Sequence, residues 1–239
     1  MNQLEQVKQF LETQPANHRV VEMILDEKKV WVKRKQPLEN WRDYYKVIVT
    51  PGLKREIKAL QLLNRQQLPV PKLIVYCDEF FASEDSGQAL PRYLDENSLD
   101  LTQRERVFYQ AGYALAQMHQ QGFAHGRPAL RDICWDEHKI TFIDFEMHSG
   151  KPCSAWDQSI DLLIFLHGLY YSLEDGAPEA NAAIQGYIDN QGYTRFTKLQ
   201  KKVAHFAWVL PLLDKLKGIA GRDLRQATPA LKLMLKNWS

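Results

Sequence analysis

Cysteine is scarce in this chain, and long apolar runs are missing. The three cysteines among 239 residues, Cys77, Cys134 and Cys153, are scattered and show no CxxC spacing. This pattern argues against a disulfide framework and against a zinc site, and it fits a reducing compartment. The N-terminal segment lacks the basic and apolar regions of a secretory signal, and no apolar run approaches the ~18 residues that span a bilayer. We therefore expect a soluble, cytoplasmic protein.

Glycine is also missing from a region where it often matters. Residues 18–33 contain none, so no GxGxxG segment is present between the first predicted strands. Clamping of phosphates by backbone amides in this region is thereby disfavoured, and any nucleotide affinity is expected to be modest.

The composition is that of an ordinary globular protein, with 45% hydrophobic and 25% charged residues. The length fits one domain or two intimate lobes. The net charge of +2 hides an uneven distribution, because residues from 193 onward hold ten Lys/Arg and two acids. The basic character therefore belongs to the C-terminal tail.

The first ~95 residues are rich in predicted strands. Alternating apolar residues at 19–25 and 30–34 predict a hairpin, and 45–49 suggests a third extended piece. Residues 53–64 place apolar side chains at 53, 57, 60 and 63, the spacing of an amphipathic helix. A strand is predicted at 73–77.

The remainder of the chain is predicted to be largely helical. Thr102 and Glu105 form a capping-box pattern before a helix that runs to about Gln121, and short strands follow near residues 133 and 142. Further helices are predicted over 156–173, 177–191 and 195–216. The pattern predicts an α+β protein with a small strand-rich part and a larger helical part.

Three residues suggest phosphate and metal chemistry. Asp144 follows the hydrophobic strand Ile140–Ile143, where a carboxylate is well placed to hold a divalent cation against a phosphate. Lys33 lies in a predicted strand from which it can reach phosphates, although a solvent-facing lysine is the plainer interpretation. Glu56, on the next helix, is placed to orient Lys33 by an ion pair.

Several segments in the same order resemble the eukaryotic-protein-kinase-like superfamily. VWVK resembles the VAIK strand, LKREIKALQLL the helix with its glutamate, AGYALAQMHQQGFAHG the helix entering the catalytic loop, and WDQSIDLLIFL the helix after it. Within this superfamily the chain is most similar to compact bacterial kinases of lipopolysaccharide core sugars. The resemblance implies a two-lobed kinase-like fold, with an N-lobe over 1–82, a hinge over 83–95 and a helical C-lobe over 96–239.

The resemblance also implies an ATP- and Mg²⁺-dependent phosphotransferase acting on a core sugar or another small acceptor. Lys33 and Glu56 would form the phosphate-binding pair. The hinge would extend from Phe80 to Gly87, with backbone groups near Ser83, Glu84 and Asp85 available to adenine.

The catalytic loop departs from the superfamily pattern HRDxxxxN. His125 takes the histidine position, Arg127 the position of the catalytic aspartate, and Asp132 the metal-binding asparagine position. Asp132 and Asp144 would hold Mg²⁺, and Asp161 would brace the loop. Arg127 stays protonated and cannot act as a base. Three explanations remain open: Arg127 stabilises the transferred phosphate, another group such as His125 or Asp132 is the base, or the chain binds nucleotide without transferring phosphate.

The basic tail allows further interpretations. Apolar residues beside cations between 199 and 218 fit a helix lying on an anionic membrane, so peripheral contact with the inner membrane is a secondary expectation. A core-packing helix with a solvated basic face is the simpler alternative. Nucleic-acid binding ranks last, because no nucleic-acid-binding motif accompanies the charge.

Overall fold

The computed structural model of the protein describes residues 2–35, 52–94, 99–148, 152–173 and 177–205. Within these ranges the chain forms six α-helices and seven strands. Their order is α1 (Gln3–Glu12), β1 (Val20–Leu25), β2 (Lys28–Arg34), α2 (Leu53–Arg65), β3 (Leu73–Tyr76), β4 (Phe80–Glu84), β5 (Gln88–Ala89), α3 (Leu101–Gln120), β6 (Ile133–Trp135), β7 (Ile140–Phe142), α4 (Ala155–Ser172), α5 (Pro178–Tyr187) and α6 (Tyr193–His205). The α+β class expected from the sequence is confirmed.

The chain divides into two compact units. The first comprises Met1–Gly87 together with Thr141–Lys151, and the second comprises Gln88–Ile140 together with Pro152–Ser239. The first unit thus takes in the segment that contains Asp144, which the sequence had assigned with the C-lobe. The sequence does not show that residues 141–151 pack with the first unit, because so short a segment has no distinctive composition.

The first unit is built on an antiparallel sheet with the strand order β1-β2-β4-β3. The predicted hairpin is present, and its two-residue turn at Asp26 and Glu27 has positive φ at both positions, as tight hairpins require. Val30 and Val32 of β2 are buried in a core that includes Val7 of α1. Alternate residues of a strand face opposite sides, so Trp31 and Lys33 lie on the other face of the sheet.

The helix α2 confirms the predicted amphipathic pattern. Its residues Leu53, Ile57, Leu60 and Leu63 are all buried, as their spacing along one helical stripe requires. Glu56 lies beside this stripe and is also buried, with 2% of its surface exposed. A carboxylate in this position needs a charged partner within the fold.

Helices dominate the second unit. Helix α3 begins with a capping box formed by Asp100 and Gln103 rather than by the predicted Thr102 and Glu105, so the helix starts at Leu101. Helices α3 and α5 approach closely enough that a Cβ atom on Gly112 would lie 1.8 Å from the carbonyl oxygen of Ala183. Only glycine allows this backbone contact.

Other elements differ from the expectations. Helix α1 was not predicted, and the helix expected over 177–191 ends at Tyr187, where a π-type turn at Ile188–Gly192 separates α5 from α6. The extended piece expected at 45–49 and the helix expected beyond residue 205 lie outside the described residues. None of the helices in the described ranges is long and apolar enough to cross a membrane.

Candidate functional site

A charged cluster in the first unit surrounds Lys33 on β2. Its Nζ atom lies 2.7 Å from Oε2 of Glu56 and 3.0 Å from Oδ1 of Asp144, and its side chain is 12% exposed. The structure therefore brings together Lys33, Glu56 and Asp144, which the sequence places far apart. A function for them in binding nucleotide and metal stays a prediction at this point.

The pair between Lys33 and Glu56 depends on the burial of α2. Desolvation raises the pKa of the Glu56 carboxyl above its ordinary value, and the nearby Lys33 ammonium acts in the opposite direction. The helix fixes the backbone of Glu56, and the strand fixes that of Lys33. The lysine is thus held on a rigid support.

Asp144 lies two residues after the end of β7 and has a constrained conformation. The Phe142 amide donates to the carbonyl of Pro69 at 2.8 Å, which ties the end of β7 to the first unit. Asp144 itself has φ 67° and ψ 58°, in the left-handed region. Such a conformation costs a non-glycine residue about 1–3 kcal/mol and persists only where the surrounding contacts hold it. Here the carboxylate is aimed at Lys33.

Glu146 and Arg19 complete the cluster and were not assigned a role from the sequence. Oε1 of Glu146 lies 3.1 Å from Nζ of Lys33, and the same oxygen is paired with the guanidinium of Arg19. Glu146 stands two residues after Asp144, and that position was the only signal that could have found it. Arg19 immediately precedes β1, and nothing in its local sequence distinguishes it from other arginines beside a strand.

The carboxylates of the cluster form a set suited to a hard cation. One oxygen from each of Glu56, Asp144 and Glu146 lies within 4.8 Å of the others. Carboxylate oxygens are the ligands that Mg²⁺ prefers, so the donor chemistry fits this ion. Asp144 is the most exposed of the three at 30% of its side chain, which makes it the most accessible donor.

The predicted adenine-binding segment lies at the end of β4. Ser83 and Glu84 belong to that strand, so the expected hinge from Phe80 is in fact strand as far as Glu84. The amide of Glu84 donates to the carbonyl of Lys72 at 2.9 Å and is engaged in the sheet. Asp85 follows, and its carboxylate accepts a hydrogen bond of 2.6 Å from the indole of Trp31.

The second unit contains the predicted catalytic loop, which is anchored by Asp161 of α4. The Asp161 carboxylate is fully buried and accepts hydrogen bonds from the amides of His125 and Gly126. Gly126 has φ 97°, a conformation suited to glycine. The bracing role that the resemblance implies for Asp161 is therefore present in the structure.

Asp161 is itself supported by a buried network. His119 places Nε2 3.3 Å from Asp161 and Nδ1 2.8 Å from the hydroxyl of Tyr187. Burial raises the pKa of Tyr187, so the phenol keeps its proton. A carboxylate oxygen accepts, so a neutral His119 carries its proton on Nε2, which faces Asp161, and its Nδ1 accepts from the Tyr187 hydroxyl.

Arg127, Asp132 and His125 lie together on this loop. His125 is buried, and its Nδ1 accepts a hydrogen bond of 3.2 Å from the Arg127 amide, which favours a structural role for the imidazole. The guanidinium of Arg127 lies 3.9 Å from the Asp132 carboxylate, and that of Arg131 lies 3.7 Å from it. Asp132 is thus flanked by two cations and is only 6% exposed.

The pairing of a strand lysine with a helix glutamate, together with an aspartate-anchored loop, is the arrangement expected of a kinase-like protein. Residues 16–183 match the lipopolysaccharide kinase (Kdo/WaaP) family, which is more than half of the chain. The chain belongs to this family. Both the Lys33 cluster and the loop braced by Asp161 fall within the matched range.

Two relatives extend the comparison. An uncharacterized protein of Haemophilus influenzae is 31% identical over 220 residues, which cover 92% of this chain and 90% of that protein. A probable bifunctional tRNA threonylcarbamoyladenosine biosynthesis protein of Haloquadratum walsbyi is 25% identical over 136 residues, 56% of this chain but 24% of that protein. The similarity to the Haemophilus protein therefore extends over nearly the whole chain, whereas the second is partial.

Family membership supports a phosphotransferase of the kinase type. It confirms the resemblance to the lipopolysaccharide core kinases that was inferred from the sequence.

Proposed function

We propose that this protein is an ATP- and Mg²⁺-dependent phosphotransferase whose acceptor is a hydroxyl of a lipopolysaccharide core sugar or another small molecule. The single observation that supports this most strongly is the contact of Lys33 with both Glu56 and Asp144. It pairs a rigidly held cation with an accessible carboxylate, and phosphoryl transfer requires both a cation for phosphates and a metal ligand.

Each group of residues has a part in the proposed reaction. Lys33 binds nucleotide phosphate, and Glu56 keeps the ammonium in place. Asp144 and Asp132 are the proposed Mg²⁺ ligands, and the ion when bound would neutralise phosphate charge. Ser83, Glu84 and Asp85 mark the segment proposed for adenine, with the Glu84 amide excluded because it donates to Lys72.

Arg127 has a role that differs from that of the aspartate usual at its position. Its guanidinium cannot accept a proton, so we propose that it stabilises the charge of the transferred phosphoryl group. The acceptor hydroxyl then loses its proton late, which a loose transition state permits. His125 positions the loop through the Arg127 amide.

Nucleotide binding is tested by thermal denaturation with ATP and MgCl₂. We expect the wild type to be stabilised by about 2.7 kcal/mol at 100 times Kd, since a ligand that binds only the folded state has this effect. Lys33→Met and Asp144→Ala should lose the stabilisation. Lys28→Met is the matched control, because Lys28 lies on the same strand and is exposed. No stabilisation of the wild type would contradict the proposal.

Phosphate transfer is tested with labelled ATP and a panel of lipopolysaccharide and sugar acceptors. Label in the acceptor fraction, lost in Asp144→Ala, is the expected result. The alternative function is a kinase-fold protein that binds nucleotide for regulation, and the observation that favours it is Arg127 at the position of the catalytic base. Nucleotide binding without transfer to any acceptor would support this alternative.

A further inference from the structure

Lys33 is surrounded by more carboxylates than its role requires. An ammonium group has three N–H donors. Oxygens of Glu56, Asp144 and Glu146 lie 2.7, 3.0 and 3.1 Å from Nζ as ion pairs, and the contact with Asp144 is also a hydrogen bond. A phosphate that approaches Lys33 must compete with these carboxylates for the ammonium.

Glu146 is the contact best suited to release. Glu56 is fixed on α2 with 3% of its side chain exposed. Asp144 is held at the end of β7 in the left-handed conformation. The oxygen of Glu146 that faces Lys33 is already shared with Arg19, whose side chain is 35% exposed. Glu146 therefore keeps a cationic partner when it leaves Lys33.

We infer that Glu146 and Arg19 are positioning residues that set the affinity of Lys33 for nucleotide phosphate. Glu146 competes with the phosphate for the ammonium, and its negative charge also repels the phosphate. When a phosphate displaces Glu146 from the Lys33 ammonium, Glu146 stays paired with the Arg19 guanidinium. This inference rests on the proposed binding of nucleotide phosphate by Lys33, and it adds a control of affinity to that function.

The test is a mutant cycle in which Kd for ATP is measured by isothermal titration calorimetry with MgCl₂ and again with EDTA, because Glu146 also belongs to the carboxylate set that could hold a cation. The changes expected below refer to the series with EDTA. We expect Glu146→Gln to bind ATP about tenfold more tightly, because one charge-assisted contact to Lys33 is weakened and a repulsive charge is removed. Arg19→Met should bind about threefold more weakly, because Glu146 then has only Lys33 as a partner. The double variant should match Glu146→Gln, since Arg19 acts only through Glu146.

Two controls test whether the change in affinity depends on the phosphate and whether it arises from net charge alone. Adenosine has no phosphate, so its Kd should be the same for all variants. Glu22→Gln makes the same chemical change on β1 in a carboxylate that pairs with Lys29, and it should leave the Kd for ATP unchanged. An equal gain in Glu22→Gln would attribute the effect to net charge and overturn the inference. Glu146→Ala should gain the same affinity for ATP as Glu146→Gln. It serves as the test variant if Glu146→Gln folds poorly.

The results for the Glu146 variants bear on the positioning role of Glu146 and Arg19, whereas ATP binding by the wild type bears on the proposed function. Misfolding lowers affinity, so a gain in Glu146→Gln cannot come from structural damage. ATP binding that is equal to or weaker than that of wild type in both Glu146 variants would overturn the inference alone. A double variant weaker than Glu146→Gln would make Arg19 a phosphate ligand and would also overturn it. Absence of ATP binding by the wild type and by both Glu146 variants would defeat the proposed function and the inference together.

Discussion

The Lys33 cluster of the first unit and the Asp161-anchored loop of the second unit differ in which part of a kinase-type site they preserve. The cluster has the lysine, the helix glutamate and the aspartate, with Glu146 and Arg19 added. The loop keeps its support, Asp161 beneath two backbone amides, but presents Arg127 where a base is usual. The positions of the cluster proposed for nucleotide and metal binding, and the supporting carboxylate, thus carry the residue types of the superfamily pattern, whereas the position expected for proton transfer carries an arginine.

The support of the loop and the chemistry of its exposed side chains are therefore separable. The Asp161 carboxylate bonds to backbone amides, so it holds the loop whichever exposed side chains the loop carries. Arg127 is 46% exposed, so the packing of the loop places little constraint on its identity. Variants in the framework of the second unit, in its loop and in the Lys33 cluster test this separation.

The largest effect is expected at the contact between α3 and α5. In Gly112→Ala the new Cβ atom would meet the Ala183 carbonyl oxygen at 1.8 Å, and one helix would have to move. We expect a loss of about 3 kcal/mol or more in the free energy of unfolding, measured by urea denaturation. Gly52→Ala is the control, because nothing lies within 4 Å of its Cβ position. A similar loss in both variants would contradict the close contact.

The next effect concerns the support of the loop. Asp161→Ala leaves the amides of His125 and Gly126 buried without their acceptor, and we expect a loss of about 3 kcal/mol in the free energy of unfolding. Asp157→Ala on the same helix removes only an exposed capping carboxylate and should lose about 1 kcal/mol. Urea denaturation of the two variants measures the difference. Equal losses would show that Asp161 does not support the loop.

Replacement of Arg127 tests the altered position in the loop. If the guanidinium stabilises the transferred phosphoryl group, Arg127→Ala should lower kcat about 100-fold, with a smaller change in KM. Arg131 also flanks Asp132 but is 68% exposed, and Arg131→Ala should change kcat less than about threefold. Initial-rate kinetics with the best acceptor supply both numbers. An unchanged kcat in Arg127→Ala would exclude the charge-stabilising role.

The smallest effect is a pH dependence in the Lys33 cluster. Burial raises the pKa of Glu56 above its ordinary value of 4.5, so the folded protein holds this proton more tightly than the unfolded chain does. The stability that Glu56 contributes is therefore complete below pH 4.5 and is lost as the pH rises through the folded-state pKa. Relative to Glu56→Gln, the wild type should lose stability as the pH rises from 4.5 toward 8. Denaturation of both proteins across this range provides the measurement, and a difference that changes in the opposite direction would mean that Lys33 outweighs burial.

Much of the fold could be predicted because it follows local patterns. The hairpin β1–β2 and helix α2 follow from periods of two and about 3.6 in the apolar residues, which are properties of neighbouring positions. The capping residue of α3 and the end of α5 were wrong by a few residues, since alternative caps of similar strength lie close together in the sequence. Helix α1 was missed because its buried face consists largely of Val7.

The candidate site divides in the same way. The kinase-like order of Lys33, Glu56, Asp132 and Asp144, and the arginine at position 127, follow from the sequence, because order and residue type are properties of the chain. Three further features appear only in the folded chain: Glu146 and Arg19 join Lys33, His119 and Tyr187 support Asp161, and the Glu84 amide is engaged in the sheet. These contacts join residues up to 127 positions apart, and their geometry depends on how strands and helices pack rather than on any local pattern.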